Sequence, residues 1–225
     1  MHYHYFSKQR YLSFSGDRKN EKEQKWDVNV WLNCEQRIGV NAKKIEDHVH
    51  AYCQSHVVEF HPFNLHRLEN YRIQRQKWNH WCLYCYFIPQ YHVVEVIDAA
   101  PIQKTKLGKH WLNLVDQHFN VFSMPWRMRM YEPAYSTIVS GGKVAVEKLL
   151  DSAEHFLDII KIDPDTLDQA QIQLGSAVAT LDKYYKAIEK QDLRKARHSL
   201  DHAVYLLHEL IYYIGEELKF IPRKK

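Results

Sequence analysis

The chain has 225 residues with a formal net charge of +4, and 45% of its residues are apolar against 26% charged. This balance excludes an intrinsically disordered protein, and the length allows one large domain or two small ones. The sequence has no apolar run of about 18 residues and its first residues carry no hydrophobic leader, so we expect neither a membrane span nor a secretory signal.

Cysteine content and charge distribution narrow the class of protein further. The four cysteines, Cys34, Cys53, Cys82 and Cys85, are too few for a disulfide scaffold, which predicts a cytoplasmic protein with free thiols. The positive charge is concentrated in residues 1–132, with 18 Lys and Arg against 13 Asp and Glu, whereas residues 133–225 carry 13 and 14. A basic first part permits contact with a polyanion.

The first part of the chain alternates between strand and helix patterns. "HYHYF" and "RYLSFS" predict an N-terminal strand or hairpin, and "VVEF" at 57–60 a short strand. "KWDVNVWLN" at 25–33 predicts a strand with Trp26, Val28, Val30 and Leu32 on one face. "HVVEVIDA" at 92–99 predicts another strand. "KLGKHWLNLVDQHF" at 106–119 predicts a helix whose inward residues are Leu107, Trp111, Leu114, Val115 and His118.

"DHVHAYCQSH" at 47–56 holds three histidines and a cysteine. His48-Val49-His50 resembles the metal-binding histidine pair of HUH nucleases, which implies two imidazoles on one face of a strand and a tyrosine nucleophile. Against this, Ile45, Val49, Cys53 and Val57 recur every four residues, which predicts a helix over 42–55. On a helix the two histidines lie about 200° apart and do not share a metal ion.

Two other patterns leave metal binding open as an alternative. His50, Cys53 and His56 point into one broad sector of that helix, and Cys82 and Cys85 have a two-residue spacer with His80 before them. Neither pattern completes a four-ligand set. We therefore expect no stoichiometric zinc and no cofactor, with the thiols acting as packing atoms.

Two runs interleave cations with aromatic side chains. "YRIQRQKWNHW" at 71–81 and "MPWRMRMY" at 124–131 combine phosphate-pairing groups with rings that stack on bases, which favours RNA or single-stranded DNA as a partner. The predicted contacts are Arg72, Arg75, Lys77, Trp78, Trp81, Arg127 and Arg129. The alternative for each run is an amphipathic strand with buried aromatics and solvated arginines, and the alternation in "WRMRMY" fits it.

The last part of the chain reads as long amphipathic helices. "SGG" at 140–142 is the expected hinge or helix start, and a helix at 143–161 carries Val144, Leu149, Phe156 and Ile160. Asp163 and Pro164 start a second helix, and a break near Gln191 and Asp192 starts a third. Three helices with short connections should pack antiparallel.

"RHSLDH" in the third helix places Arg197 and His202 five residues apart. This R-x4-H spacing resembles the catalytic signature of HEPN domains, which are helical bundles. The resemblance implies metal-independent RNA cleavage by paired protomers, with His202 in acid–base work and Arg197 stabilising phosphate charge. The alternatives are a solvated flank of the helix, or metal chelation by His198 and His202 at i, i+4.

These patterns together predict an α+β fold, with a basic mixed α/β domain at 1–132 and a three-helix bundle at 133–222. The leading hypothesis for function is a nucleic-acid-binding or processing accessory protein within a larger assembly. A HEPN-like ribonuclease and a protein interaction module are the alternatives, so whether the protein is an enzyme stays open. Residues 193–220, with Tyr205, Tyr212 and Tyr213, are expected to contact a protein partner or a second copy, because three helices would leave apolar surface uncovered.

Overall fold

A computed structural model describes residues 26–55, 73–88, 93–130 and 135–222. Within these ranges the chain forms four strands and six helices, which confirms the predicted α+β fold with a helical C-terminal part. The strands expected at the N-terminus and at 57–60 lie outside the described residues.

The strands form one mixed sheet. They are β1 (Asp27–Val30), β2 (Ile73–Trp78), β3 (Trp81–Ile88) and β4 (Val93–Pro101), in the order β1-β4-β3-β2. β1 runs parallel to β4, and the other neighbours are antiparallel. β2 and β3 are joined by the tight turn Asn79-His80, where Asn79 adopts φ 51°, a left-handed conformation that Asn tolerates. β4 confirms the strand predicted at 92–99.

The strand predicted over 25–33 is shorter than expected, because helix α1 (Leu32–Ile38) begins directly after β1. Trp31 fixes this change of direction. Its indole Nε1 donates to Glu95 Oε2 at 2.7 Å, and its carbonyl oxygen accepts the first N–H groups of α1. The prediction that Leu32 shares a strand face with Val28 and Val30 is wrong, since Leu32 is the first residue of a helix and is 64% exposed.

Helices α1 and α2 (Ala42–Ser55) cover one face of the sheet. Ile45, Val49 and Cys53 of α2 are buried against strand residues of β3 and β4, which confirms the predicted helix. The histidines on either side of Val49 therefore lie on different sides of a helix, and the strand geometry that an HUH site requires is absent here.

The other face of the sheet shares one core with four long helices: α3 (Lys106–Met130), α4 (Tyr135–Ile159), α5 (Pro164–Glu189) and α6 (Leu193–Glu217). The predicted inward residues of α3 are buried or partly buried, with Trp111 fully enclosed. α3 extends eleven residues beyond the predicted end at 119. The alternative that "WRMRMY" forms an amphipathic strand is therefore wrong for residues 126–130, which continue the helix.

The glycines at 140–142 are neither a hinge nor a helix start, because α4 begins at Tyr135 and runs through them. Glycine inside a helix costs about 1 kcal/mol relative to alanine, which tertiary packing can offset. Here the later turns of α4 supply that packing, since Leu149 and Phe156 are buried, as is Ile160 directly after the helix. Val144 departs from the prediction and is 49% exposed.

The starts of the last two helices follow the sequence closely. The Asp163 side chain accepts the N–H of Thr166 at 2.9 Å with Pro164 in the first turn, and Asp192 accepts the N–H of Lys195 at 3.0 Å. These caps confirm the predicted boundaries between the helices. None of the helices in the described ranges is both long and apolar enough to cross a membrane.

α6 is buried on several sides, which corrects the expectation of a large uncovered apolar surface. Tyr212 is 5% exposed, because it packs edge to face on Trp111 and lies under the guanidinium of Arg37. Tyr205 and Tyr213 are half-buried. Tyr212 is therefore not available to a partner, and a partner contact through residues 193–220 stays a prediction.

Candidate nucleic-acid interface

The β2–β3 hairpin separates the predicted cations from the predicted stacking rings. In the strand register Arg75 lies opposite Tyr84 and Lys77 opposite Cys82, on the face that α3 covers. Trp78 lies opposite Trp81 on the other face, and both indoles pack against the core under α1 and α2. The two-residue period of a strand sends neighbouring side chains to opposite faces, so the two sets do not form one continuous surface.

The start of α3 lies beside the hairpin turn. The backbone N–H of Ile102 donates to the carbonyl oxygen of His80 at 2.8 Å, and the chain then enters α3 through Thr105. The Thr105 hydroxyl accepts the N–H of Gly108 at 3.0 Å and caps the helix. The exposed cations of β2 therefore lie near the first turns of α3, at the edge of the sheet that β2 forms.

We call this edge the basic surface. It consists of exposed side chains from β2, the turn and the start of α3: Arg75, Lys77, His80, Lys104, Lys106, Lys109 and His110. The sequence has no Asp or Glu from Tyr71 to Val94, and Asp116 is its only acidic residue from Ala99 to Tyr131. The positive end of the α3 dipole adds to the potential at this edge.

Asp116 lies within the basic surface and is fully engaged. Its Oδ2 contacts Arg75 Nη1 at 2.5 Å, and its Oδ1 accepts the hydroxyl of Tyr84 at 2.8 Å. Tyr84 is buried and stacks on Phe119, with 4.1 Å between ring centroids, so the carboxylate is held in a fixed position. Burial raises the pKa of Asp116, while the Tyr84 hydrogen bond and the charge of Arg75 oppose that rise.

The remaining predicted contact residues divide into two groups. Arg72 lies outside the described residues. Arg127 and Arg129 lie in the last turns of α3, where the structure describes the helix but not their side chains.

Sequence reasoning missed the lysines at the start of α3. Lys106 and Lys109 lie within the helix predicted at 106–119 and Lys104 lies just before it, and none of the three was predicted to contact nucleic acid. The sequence did indicate a basic segment here, because residues 99–115 contain no Asp or Glu and include the start of the predicted helix. What the sequence does not show is that the hairpin turn lies against it.

The predicted catalytic pair on α6 does not converge within one chain. Residues five apart on a helix point about 140° away from each other. Arg197 Nε instead lies 3.8 Å from Asp201 Oδ2, and the His202 ring stacks on His198 with 6.4 Å between centroids. Burial, His198 and Lys183 lower the pKa of His202. A composite HEPN site would need a second copy to supply the opposing pair.

The candidate metal ligands are also separated. Cys82 and Cys85 point to opposite faces of β3 and lie in different cores. Cys53 is buried, and burial raises the pKa of its thiol to about 11, whereas His56 lies outside the described residues. Among the described residues no group of three or more His, Cys, Asp and Glu side chains is placed to hold a metal ion.

No protein-family model, curated protein or solved structure matches this chain.

Proposed function

We propose that this protein binds RNA or single-stranded DNA through the basic surface, as an accessory component of a larger assembly. The observation that carries the proposal is the set of exposed side chains Arg75, Lys77, Lys104, Lys106 and Lys109 on β2 and at the start of α3. They lie in two stretches of sequence, Tyr71 to Val94 and Ala99 to Tyr131, whose only carboxylate is Asp116. Clustered lysines of this kind neutralise several backbone phosphates at once and release condensed counterions.

The mode of binding follows from the orientation of the hairpin. Lys77 lies on the face of the hairpin that α3 covers. Lys109 lies about two helical turns before Asp116, on the side of α3 that faces β2. The tryptophans Trp78 and Trp81 belong to the opposite face, where they stabilise the core under α2. The basic surface is therefore suited to phosphate contact rather than to stacking of bases, which favours binding that depends little on sequence.

The proposal is tested by fluorescence anisotropy with a labelled single-stranded RNA of about 20 nucleotides, titrated at several salt concentrations. The double variant Lys77→Ala/Lys109→Ala should lower the affinity about tenfold or more and reduce the slope of log K against log salt by about 1.4. The matched control is Lys161→Ala/Lys186→Ala, which removes the same charge from exposed positions in the α4–α5 connection and on α5.

Two results would overturn this function. The first is no binding by the wild-type protein at low salt. The second is an equal loss of affinity in the two double variants, which would show that affinity depends on the net charge of the protein and not on the position of the lysines. No binding at low salt would leave the protein interaction module as the remaining hypothesis, whereas equal losses would show RNA binding that does not depend on the basic surface.

A further inference from the structure

The Arg75–Asp116 pair lies at the end of the basic surface that is farthest from the hairpin turn, and it places a carboxylate beside the cations. Arg75 projects from β2 and its side chain is 47% exposed, so it could reach a phosphate in solution. Instead its Nη1 lies 2.5 Å from Asp116 Oδ2. The guanidinium thus already has an anionic partner supplied by the chain itself.

Asp116 is held more firmly than Arg75. Its side chain is 28% exposed, it extends from the middle of a long helix, and its second oxygen accepts the hydroxyl of buried Tyr84 at 2.8 Å. The Tyr84 ring is in turn fixed by stacking on Phe119. The carboxylate therefore cannot move aside easily, and a phosphate approaching Arg75 would meet a fixed negative charge.

We infer that the Arg75–Asp116 contact is autoinhibitory: Asp116 withholds Arg75 from nucleic-acid phosphates and limits how many phosphates the basic surface binds. The inference rests on the proposed function and adds a regulatory role for one residue within it. Its consequence is that Lys77 is a direct phosphate contact in the wild-type protein, whereas Arg75, two residues away on the same face, is not.

The contact makes binding weaker than the cation content of the surface would allow. Removing the carboxylate frees the Arg75 guanidinium and removes repulsion of the incoming phosphate. The variant Asp116→Asn keeps the shape of the side chain and an oxygen that can accept the Tyr84 hydroxyl, so only the charge is lost. A surface that gains one phosphate contact binds RNA more tightly, and its affinity falls more steeply as the salt concentration rises.

The experiment compares wild type, Asp116→Asn and Asp158→Asn with the same labelled RNA. Asp158 is exposed on α4 and gives the same change in net charge away from the basic surface. Asp116→Asn should tighten binding about three- to tenfold and steepen the salt slope by about 0.7, whereas Asp158→Asn should change the affinity by less than about twofold. Equal effects of the two variants would overturn the inference.

A second measurement does not depend on the folding of Asp116→Asn. Arg75→Gln and Lys77→Gln each remove one charge from β2, but only Lys77→Gln should reduce the salt slope, by about 0.7. Equal reductions would show that Arg75 is a phosphate contact in the wild type and would overturn the inference. Loss of RNA binding by the wild type itself is a different result, since it overturns the proposed function.

Discussion

The guanidinium carbon of Arg37 lies 4.1 Å from the centroid of the Tyr212 ring and so connects α1 to α6. The same guanidinium donates from Nε to Asp98 Oδ1 on β4 at 2.8 Å, and the side chains of Arg37 and Asp98 are each 4% exposed. This buried ion pair joins the layers on the two faces of the sheet. Its partners are dozens of residues apart in the sequence.

Replacing Arg37 by Leu should destabilise the protein by about 3–5 kcal/mol, because the Asp98 carboxylate would remain buried without its cation. The free energy of unfolding in urea measures this effect. The double variant Arg37→Leu/Asp98→Leu should cost less than the sum of the two single changes. As a control, Lys43→Ala removes an exposed pair with Asp47 and should leave stability nearly unchanged. Additive effects of Arg37→Leu and Asp98→Leu would contradict the coupling.

Gly215 on α6 faces the indole of Trp111. A Cβ at this position would lie 2.6 Å from the ring, and the ring is held in place because its Nε1 donates to the carbonyl of Ile211 at 2.8 Å. Gly215→Ala should therefore lower the free energy of unfolding by about 1–3 kcal/mol. Gly175→Ala is the matched control, because a Cβ there meets open space and should raise stability by about 0.5–1 kcal/mol. Stabilisation by both variants would show that Trp111 can move aside.

His118 on α3 makes stability depend on pH. Burial lowers the pKa of His118 well below its usual 6.5, and His208, whose ring centroid lies 4.7 Å away, lowers it further, while Asp98 opposes the shift. Below about pH 6.5 the unfolded chain binds a proton that the folded chain does not, so the free energy of unfolding falls as pH decreases.

Between the pKa of His118 in the unfolded chain and its pKa in the folded chain, the free energy of unfolding falls by about 1.4 kcal/mol for each pH unit of acidification. Urea denaturation between about pH 7 and pH 5 should show a smaller pH dependence for His118→Gln than for wild type. The exposed His155 provides the control, since His155→Gln should keep the wild-type slope. An unchanged slope in His118→Gln would mean that another group carries the acid sensitivity.

The two faces of the β2–β3 hairpin should respond differently to substitution. Lys77→Ala should lower RNA affinity with little change in stability, because Lys77 is exposed on the basic surface. Trp78→Ala should lower stability and leave affinity nearly unchanged, because the indole packs on the core under α2 and opposite Trp81. Anisotropy and urea denaturation of both variants separate these outcomes. A large loss of affinity for Trp78→Ala in a protein of unchanged stability would restore the stacking hypothesis.

Features encoded locally could be predicted from the sequence. The caps at Asp163 and Asp192 act on N–H groups three residues ahead, and the apolar stripe of α2 repeats within one helix. The path of α4 through the glycines could not be predicted, because tertiary packing outweighed a local preference. The end of β1 depended on Glu95, which lies on another strand.

The candidate site was predicted only in part, for the same reason. Lys77 was recognised from its run of cations, and the opposite orientations of Lys77 and Trp78 match the alternative predicted for that run, an amphipathic strand with buried aromatic side chains and solvated cations. The Arg75–Asp116 pair joins positions 41 apart in the sequence, and the Asp98 carboxylate faces Arg37 beside an irregularity in the β3–β4 register. Such relationships depend on the sheet and the helix being packed together.

The HEPN resemblance and the geometry of α6 make opposite predictions for RNA cleavage. The resemblance predicts cleavage in the presence of EDTA that is lost in both Arg197→Ala and His202→Ala. The divergence of the two side chains, and the ion pair of Arg197 with Asp201, predict no such cleavage by a single copy. We expect the second outcome, with both variants retaining the RNA affinity of the wild type, since neither residue belongs to the basic surface.

The outcome of the cleavage assay has to be interpreted together with the oligomeric state of the protein. A composite site needs two copies whose α6 helices approach each other, so sedimentation at micromolar concentration should accompany the cleavage assay. Because Tyr212 is covered by Arg37 and Trp111 of the same chain, we expect a monomer in the absence of a partner protein. A dimer that cleaves RNA without metal, and that loses cleavage in either variant while staying dimeric, would contradict this expectation. It would assign Arg197 and His202 to catalysis and leave the basic surface as the means by which the enzyme holds its substrate.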